Sequence, residues 1–110
     1  MKKIEVAYIV MQEHNDNLFG VYTDQYLAFK KYLKILKKWD WNASFFIQFA
    51  PINTEVEIDT MNRHLYSMRY QQYQSIKDLS EEELIESEAY LKYLECIEGT
   101  QKHFSEEENS

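Results

Sequence analysis

Hydrophobic and polar residues along this 110-residue chain repeat in two ways, every second residue in some stretches and every three to four in others. From Ile4 to Glu13 the pattern alternates, with Ile4, Val6, Tyr8 and Val10 on one face and Ala7, Ile9 and Met11 on the other. Both faces are apolar, which predicts a central strand covered on at least part of each side. His14-Asn15-Asp16-Asn17 supplies turn formers that tolerate positive φ, and Leu18 to Tyr22 resumes as a second strand, giving a hairpin. Gly20 inside that strand marks a bulge or a point of close helix packing.

Thr23 to Trp41 carries the clearest helical period. Ala28, Phe29, Tyr32, Leu33, Ile35, Leu36 and Trp39 fall in one half of the wheel, and Lys30, Lys31, Lys34, Lys37 and Lys38 in the other, with only Leu27 out of place. Thr23 is the expected N-cap and Asp24 sits in the first turn, where the helix dipole favours a negative charge. Ser44 to Ala50 is short, aromatic and β-prone, and Pro51 stops it, so a third strand follows the helix. Ile52 to Ile58 alternates again with its glutamates outward, which suits an edge strand or a continuation of the third strand past a kink at Pro51.

Thr60 to Ile76 reads two ways. Met61, Leu65, Met68 and Tyr73 have helical spacing while Tyr66, Met68 and Tyr70 alternate, and the helix is the reading adopted, capped by Asp59 or Thr60. A further helix opens at Ser80-Glu81-Glu82-Glu83, a capping box with Leu79 and Leu84 at the spacing of a hydrophobic staple. Ile85, Ala89, Tyr90, Tyr93, Leu94, Cys96 and Ile97 form its apolar face, and Gly99 is placed to end it.

The expected fold is therefore α+β: a small three- or four-stranded antiparallel or mixed sheet in the order β-β-α-β, covered by one amphipathic helix, with one or two C-terminal helices. Residues 1–99 form the expected single domain, and residues 100–110 a flexible acidic tail with Phe104 as its apolar anchor.

Composition narrows the class. Hydrophobic content of 45% with two Gly and one Pro argues against disorder. Cys96 is the single cysteine, so no intrachain disulfide forms and a reducing cytoplasm is expected. The N-terminal apolar run is short, is interrupted by Glu5 and lacks a small-residue cleavage site, which favours a strand over a signal peptide. No stretch approaches the roughly 18 apolar residues of a membrane span, and no membrane role is expected. The net charge of −7 is uneven: residues 1–77 sum to +2 and residues 78–110 to −9.

Candidate chemistry is that of binding. The chain has no Gly-rich phosphate loop, nucleophile elbow, HExxH or CxxC, so neither catalysis nor a cofactor is expected. His14, His64 and Cys96 sit on separate elements without ligand-type spacing, so no metal site is expected; Cys96 reads as a small buried hydrophobe and His103 as part of the tail. Arg63, Tyr66, Arg69, Tyr70 and Tyr73 combine cations with aromatic faces, as interfaces do; the tyrosines equally suit a core rim with hydroxyls in water. Glu82 and Glu86 belong to an acidic helix face that reads as solvated or as an imitation of DNA phosphates. Lys30, Lys34, Lys37 and Lys38 would track a nucleic-acid backbone, form a merely solvated face, or be partly neutralised by the glutamates of the last helix, in this protomer or in another copy.

The segment AYIVMQEHNDNLFGVYTDQYLAFKKYLKILKKW followed by FFIQFAPIN resembles the β-β-α-β core of small uncharacterised phage and prophage proteins. The likeness lies at the strand-to-helix junction Val21-Tyr22-Thr23-Asp24-Gln25-Tyr26-Leu27-Ala28 and in the hydrophobic strand after the helix. It implies no catalytic residues. The expected function is a non-enzymatic accessory factor that inhibits or modulates a host protein by direct contact, with a homodimer, a DNA mimic and a nucleic-acid binder as rivals.

Overall fold

The structure, a computed structural model, describes residues 4–14, 17–56 and 64–108. It is an α+β fold built on a four-stranded antiparallel sheet of order β2-β1-β3-β4, with β1 at Val6–Gln12, β2 at Leu18–Tyr22, β3 at Phe45–Pro51 and β4 at Leu65–Tyr66. Helix α1 spans Gln25–Lys38, α2 Tyr70–Ile76, α3 Glu81–Glu86 and α4 Glu88–Glu108. Strands β2 and β3 both run antiparallel to β1, so the connection through α1 steps across β1.

The hairpin register puts Val10 opposite Gly20 but Met11 opposite Leu18, which leaves Phe19 as the extra residue of a bulge. The Tyr22 ring lies across Gly20, where an added Cβ would come within 2.7 Å of it and displace the end of that side chain.

Helix α1 starts one residue later than the sequence pattern suggested. Asp24, not Thr23, is the N-cap, and its Oδ1 accepts from the Tyr26 and Leu27 N–H groups at 2.9 and 3.0 Å. A carboxylate satisfies two orphan donors at once and meets the positive end of the helix dipole. The helix closes before Asp40 and Trp41, whose φ angles of 53° and 65° are left-handed. Trp41 is held in that conformation by its N–H on Leu36 O and its indole Nε1 on Met68 O.

The fourth strand is not the predicted Ile52–Ile58: residues 52–56 form no strand, and the rest of that segment lies outside the described residues. Leu65–Tyr66 fills the place instead, at the start of what the sequence reading took for one helix over 60–76. The period of two wins there because Tyr66 and Met68 both enter the core, 5% and 3% exposed. The Met68 N–H also donates to the Tyr32 hydroxyl at 2.9 Å, holding the chain extended until α2. Helix α2 begins where the Arg69 N–H meets Gln72 Oε1; the expected caps Asp59 and Thr60 lie outside the described residues.

The last predicted helix is two. The capping box is present, with the Ser80 N–H on Glu83 Oε1 and the Glu83 N–H on Ser80 Oγ. Ser87, at ψ 152°, then breaks the helix, and its Oγ accepts from the Tyr90 N–H to restart it. Gly99 does not end α4. The helix continues to Glu108, so residues 100–108 are helical rather than a tail, and Phe104 is fully buried. An amphipathic face that recurs at Tyr93, Ile97, Thr100 and Phe104 outweighs the cost of about 1 kcal/mol for an interior glycine. The broad apolar face predicted for this region is narrower than expected, since Ile85 and Cys96 are exposed.

Helices α1 and α4 both pack on the sheet face that carries Val6, Tyr8, Val10, Phe45, Ile47 and Phe49. Tyr93 is at the centre, stacked on Phe29 at 5.0 Å with Tyr66 at 5.3 Å and Phe49 at 5.9 Å. Tyrosine hydroxyls donate from inside this cluster to backbone carbonyls: Tyr93 to Gln25, Tyr66 to Ala89, Tyr32 to Phe45. Each therefore joins two elements.

Burial raises the phenol pKa of Tyr32 to about 12 and raises those of Tyr66 and Tyr93 as well. An unfolded tyrosine titrates near 10, so the stabilisation is fully present below pH ~10 and is lost as pH rises towards the folded value. Urea midpoints should be flat from neutrality to pH ~10 and fall above it, together with the rise of tyrosinate absorbance. Gly99→Ala, with nothing within 4 Å of the added methyl, should raise stability by about 0.5–1 kcal/mol in the same assay.

Candidate protein-binding face

The second face of the sheet is apolar and has no helix on it among the described residues. Strand alternation sends Ala7, Ile9 and Met11 of β1 to this side, and the register aligns them with their neighbours in rows. Leu18, Met11 and Phe46 make one row, Val21, Ile9, Gln48 and Leu65 the next, and Ala7 with Ala50 a third. Leu18 is 62% exposed and Val21 59%; Ala7, Ile9, Met11, Phe46, Ala50 and Leu65 are half-buried by one another. Gln48 is the one polar residue in these rows, and its Nε2 donates to the His64 carbonyl at 2.8 Å. No charged residue lies inside the rows. Glu5 and Glu13, both exposed, flank β1 at its two ends.

The double apolar pattern of β1 carries the signal for this face, and it predicted cover on at least part of each side. With both large helices on the Tyr8 side, the odd-numbered residues of β1 face outward instead. Leu18 and Val21 are the strongly exposed apolar members of this face.

The predicted aromatic and cationic strip does not assemble. Tyr66 is in β4 and Tyr73 in α2, both buried at 5% and 4% exposure. Only Arg69 and Tyr70 reach the surface, the Tyr70 ring lying 5.6 Å from Trp41 and its hydroxyl accepting from Gln74 Nε2. Arg63 lies outside the described residues. The strip required one continuous helix, and the strand at Leu65–Tyr66 turns Tyr66 inward. Arg69 instead lines an open groove of about 780 Å³ between α2 and α4, with Lys92, Ser75 and Cys96. Cys96 is exposed there rather than buried, and partial desolvation, with Glu95 nearby, raises its thiol pKa. His103 is on α4 rather than in a tail, its ring 4.8 Å from that of His64.

Of the acidic residues, Glu82 and Glu86 are exposed on α3, whereas Glu81 pairs with Lys30 at 2.6 Å and Glu88 with Lys92 at 3.7 Å. The expected partial neutralisation of the lysine stripe within the protomer is thus present at Lys30. Lys34, Lys37 and Lys38 are exposed. Among the described residues no three His, Cys, Asp or Glu side chains come together as a metal site requires, and no helix is long and apolar enough to cross a membrane. No protein-family model, curated protein or solved structure matches the chain.

The two faces of β1 should respond differently to substitution. Val10→Ala, at a fully buried site, should cost about 2 kcal/mol. Val21→Thr should stay within about 0.5 kcal/mol of the parent in denaturant unfolding.

Proposed function

We propose that this protein is a binding module that docks the outer face of its sheet onto another protein and modulates it by contact. The observation that supports this is the charge-free patch through Leu18, Val21, Ile9, Met11 and Phe46, whose two most exposed members contribute little to the core. Its rim specifies the partner's character. Glu5 and Glu13 at the ends of β1 favour an apolar surface edged by Lys or Arg. They disfavour a second copy, because stacking two such faces opposes like carboxylates on chains that each carry a net charge of −7. The reading gives the expected accessory factor an address on the sheet instead of on the tyrosines.

The test is capture from bacterial lysate at low and moderate salt, with four baits compared side by side. A stoichiometric partner held by the parent, Tyr70→Ala and Glu86→Lys, but released by the Leu18→Lys/Val21→Lys bait, is the expected result. Retention by the Leu18/Val21 bait, with loss on Tyr70→Ala or Glu86→Lys, would return the site to the helices. Sedimentation at twice 13.4 kDa that collapses in the Leu18/Val21 variant would make the partner a second copy and overturn the proposal.

A further inference from the structure

On the helical side, α1 and the corner between α2 and α3 enclose a cleft of about 340 Å³. Lys30, Lys34 and Lys37 stand on successive turns of α1 along one wall, and Lys77 lies on the other. The floor between them is apolar, made by Leu33, Leu79 and Leu84. One carboxylate already occupies the rim: Glu81 Oε1 accepts from Lys30 Nζ at 2.6 Å, and that hydrogen bond holds the Glu81 carboxyl below its ordinary range and the lysine above its own. Lys30 Nζ also sits 5.5 Å from the centre of the Tyr26 ring. Lys34, Lys37 and Lys77 make no ion pair among the described residues.

A solvated lysine face needs no floor, and an apolar cleft needs no ring of cations. Together they match a ligand with both characters. We propose that the cleft binds a small amphipathic anion, its carboxylate or phosphate held by Lys34, Lys37 and Lys77 and its apolar body lying on the leucine floor. The volume is at the lower end of the range for small-molecule sites, roughly 300–1,000 Å³, so an aromatic ring or short acyl chain is the body that fits. A nucleic acid fits less well. A phosphate backbone following α1 past Lys30 runs into Glu81 and the acidic start of α3, and like charges would repel it within the Debye length of about 8–10 Å. The site shares no residue with the outer face of the sheet, so either proposal can fail alone.

The test is a titration of the full chain, followed by amide NMR, with phenyl phosphate, phenylacetate, inorganic phosphate and benzyl alcohol. Phenyl phosphate or phenylacetate should shift the amides of Leu33, Lys34 and Ile76–Leu79 saturably and leave β1 unmoved; the stronger of the two identifies the head group. Inorganic phosphate should bind at least about tenfold more weakly, benzyl alcohol should not saturate, and Lys34→Gln/Lys37→Gln should weaken the aromatic anion by about tenfold. Equal binding of inorganic and phenyl phosphate, or no loss in the double variant, overturns the proposal. So does a DNA oligonucleotide that outcompetes phenyl phosphate with an affinity falling linearly in log salt.

Discussion

Tyr93 is the contact on which the architecture depends. Its ring joins Phe29 of α1, Phe49 of β3, Tyr66 of β4 and Tyr90 of its own helix, and its hydroxyl reaches the Gln25 carbonyl at the first turn of α1. Four elements distant in sequence are thus fixed by one residue with no accessible surface. The core mixes aliphatic side chains such as Val10, Leu36 and Ile47 with a large share of aromatic rings, whose edge-to-face contacts are worth about 0.5–1.5 kcal/mol beyond area. Tyrosine adds what phenylalanine lacks, a hydroxyl that tethers a second backbone segment. This is why so many of the nine tyrosines are inside.

Most of the rings gather on one side of the sheet, and among the described residues no helix lies on the other. Only the Tyr8 face receives α1 and α4, so the molecule is layered: exposed apolar rows, sheet, aromatic core, then a charged helical surface. That surface is itself divided. Lysines line α1 and carboxylates line α3, and the Lys30–Glu81 pair joins the two fields at their border. The outer rows and the lysine cleft are consequently separate surfaces of opposite chemistry, one uncharged and one cationic.

Much of this fold was legible in the sequence because the signals were local. The alternation of β1, the turn formers after it, the lysine-to-leucine partition of α1 and the Ser80–Glu83 box each depend on neighbours within a few residues. The misreadings arose where tertiary contact outvoted local pattern. Leu65 and Met68 satisfy a helical spacing, but the Ala89 carbonyl and the Tyr32 hydroxyl, across the core, hold Tyr66 and the Met68 backbone in the alternating one. Gly99 has the composition of a helix end, yet Phe104 beyond it finds a fully buried site. The tyrosine strip failed for the same reason. Whether a tyrosine is an anchor for a partner or for its own core depends on which elements surround it. The outer face was visible as the second apolar register of β1 and lacked only the knowledge that both large helices choose the same side.

A sheet face with no helix over it among the described residues also sets the temperature dependence of anything that binds there. Apolar area still exposed in the folded protein, as at Leu18 and Val21, changes heat capacity when association covers it and not on folding. A complex formed on the rows through Ile9 and Val21 carries a negative heat-capacity change in proportion to the area covered. Its enthalpy grows more favourable on warming while its entropy grows less so.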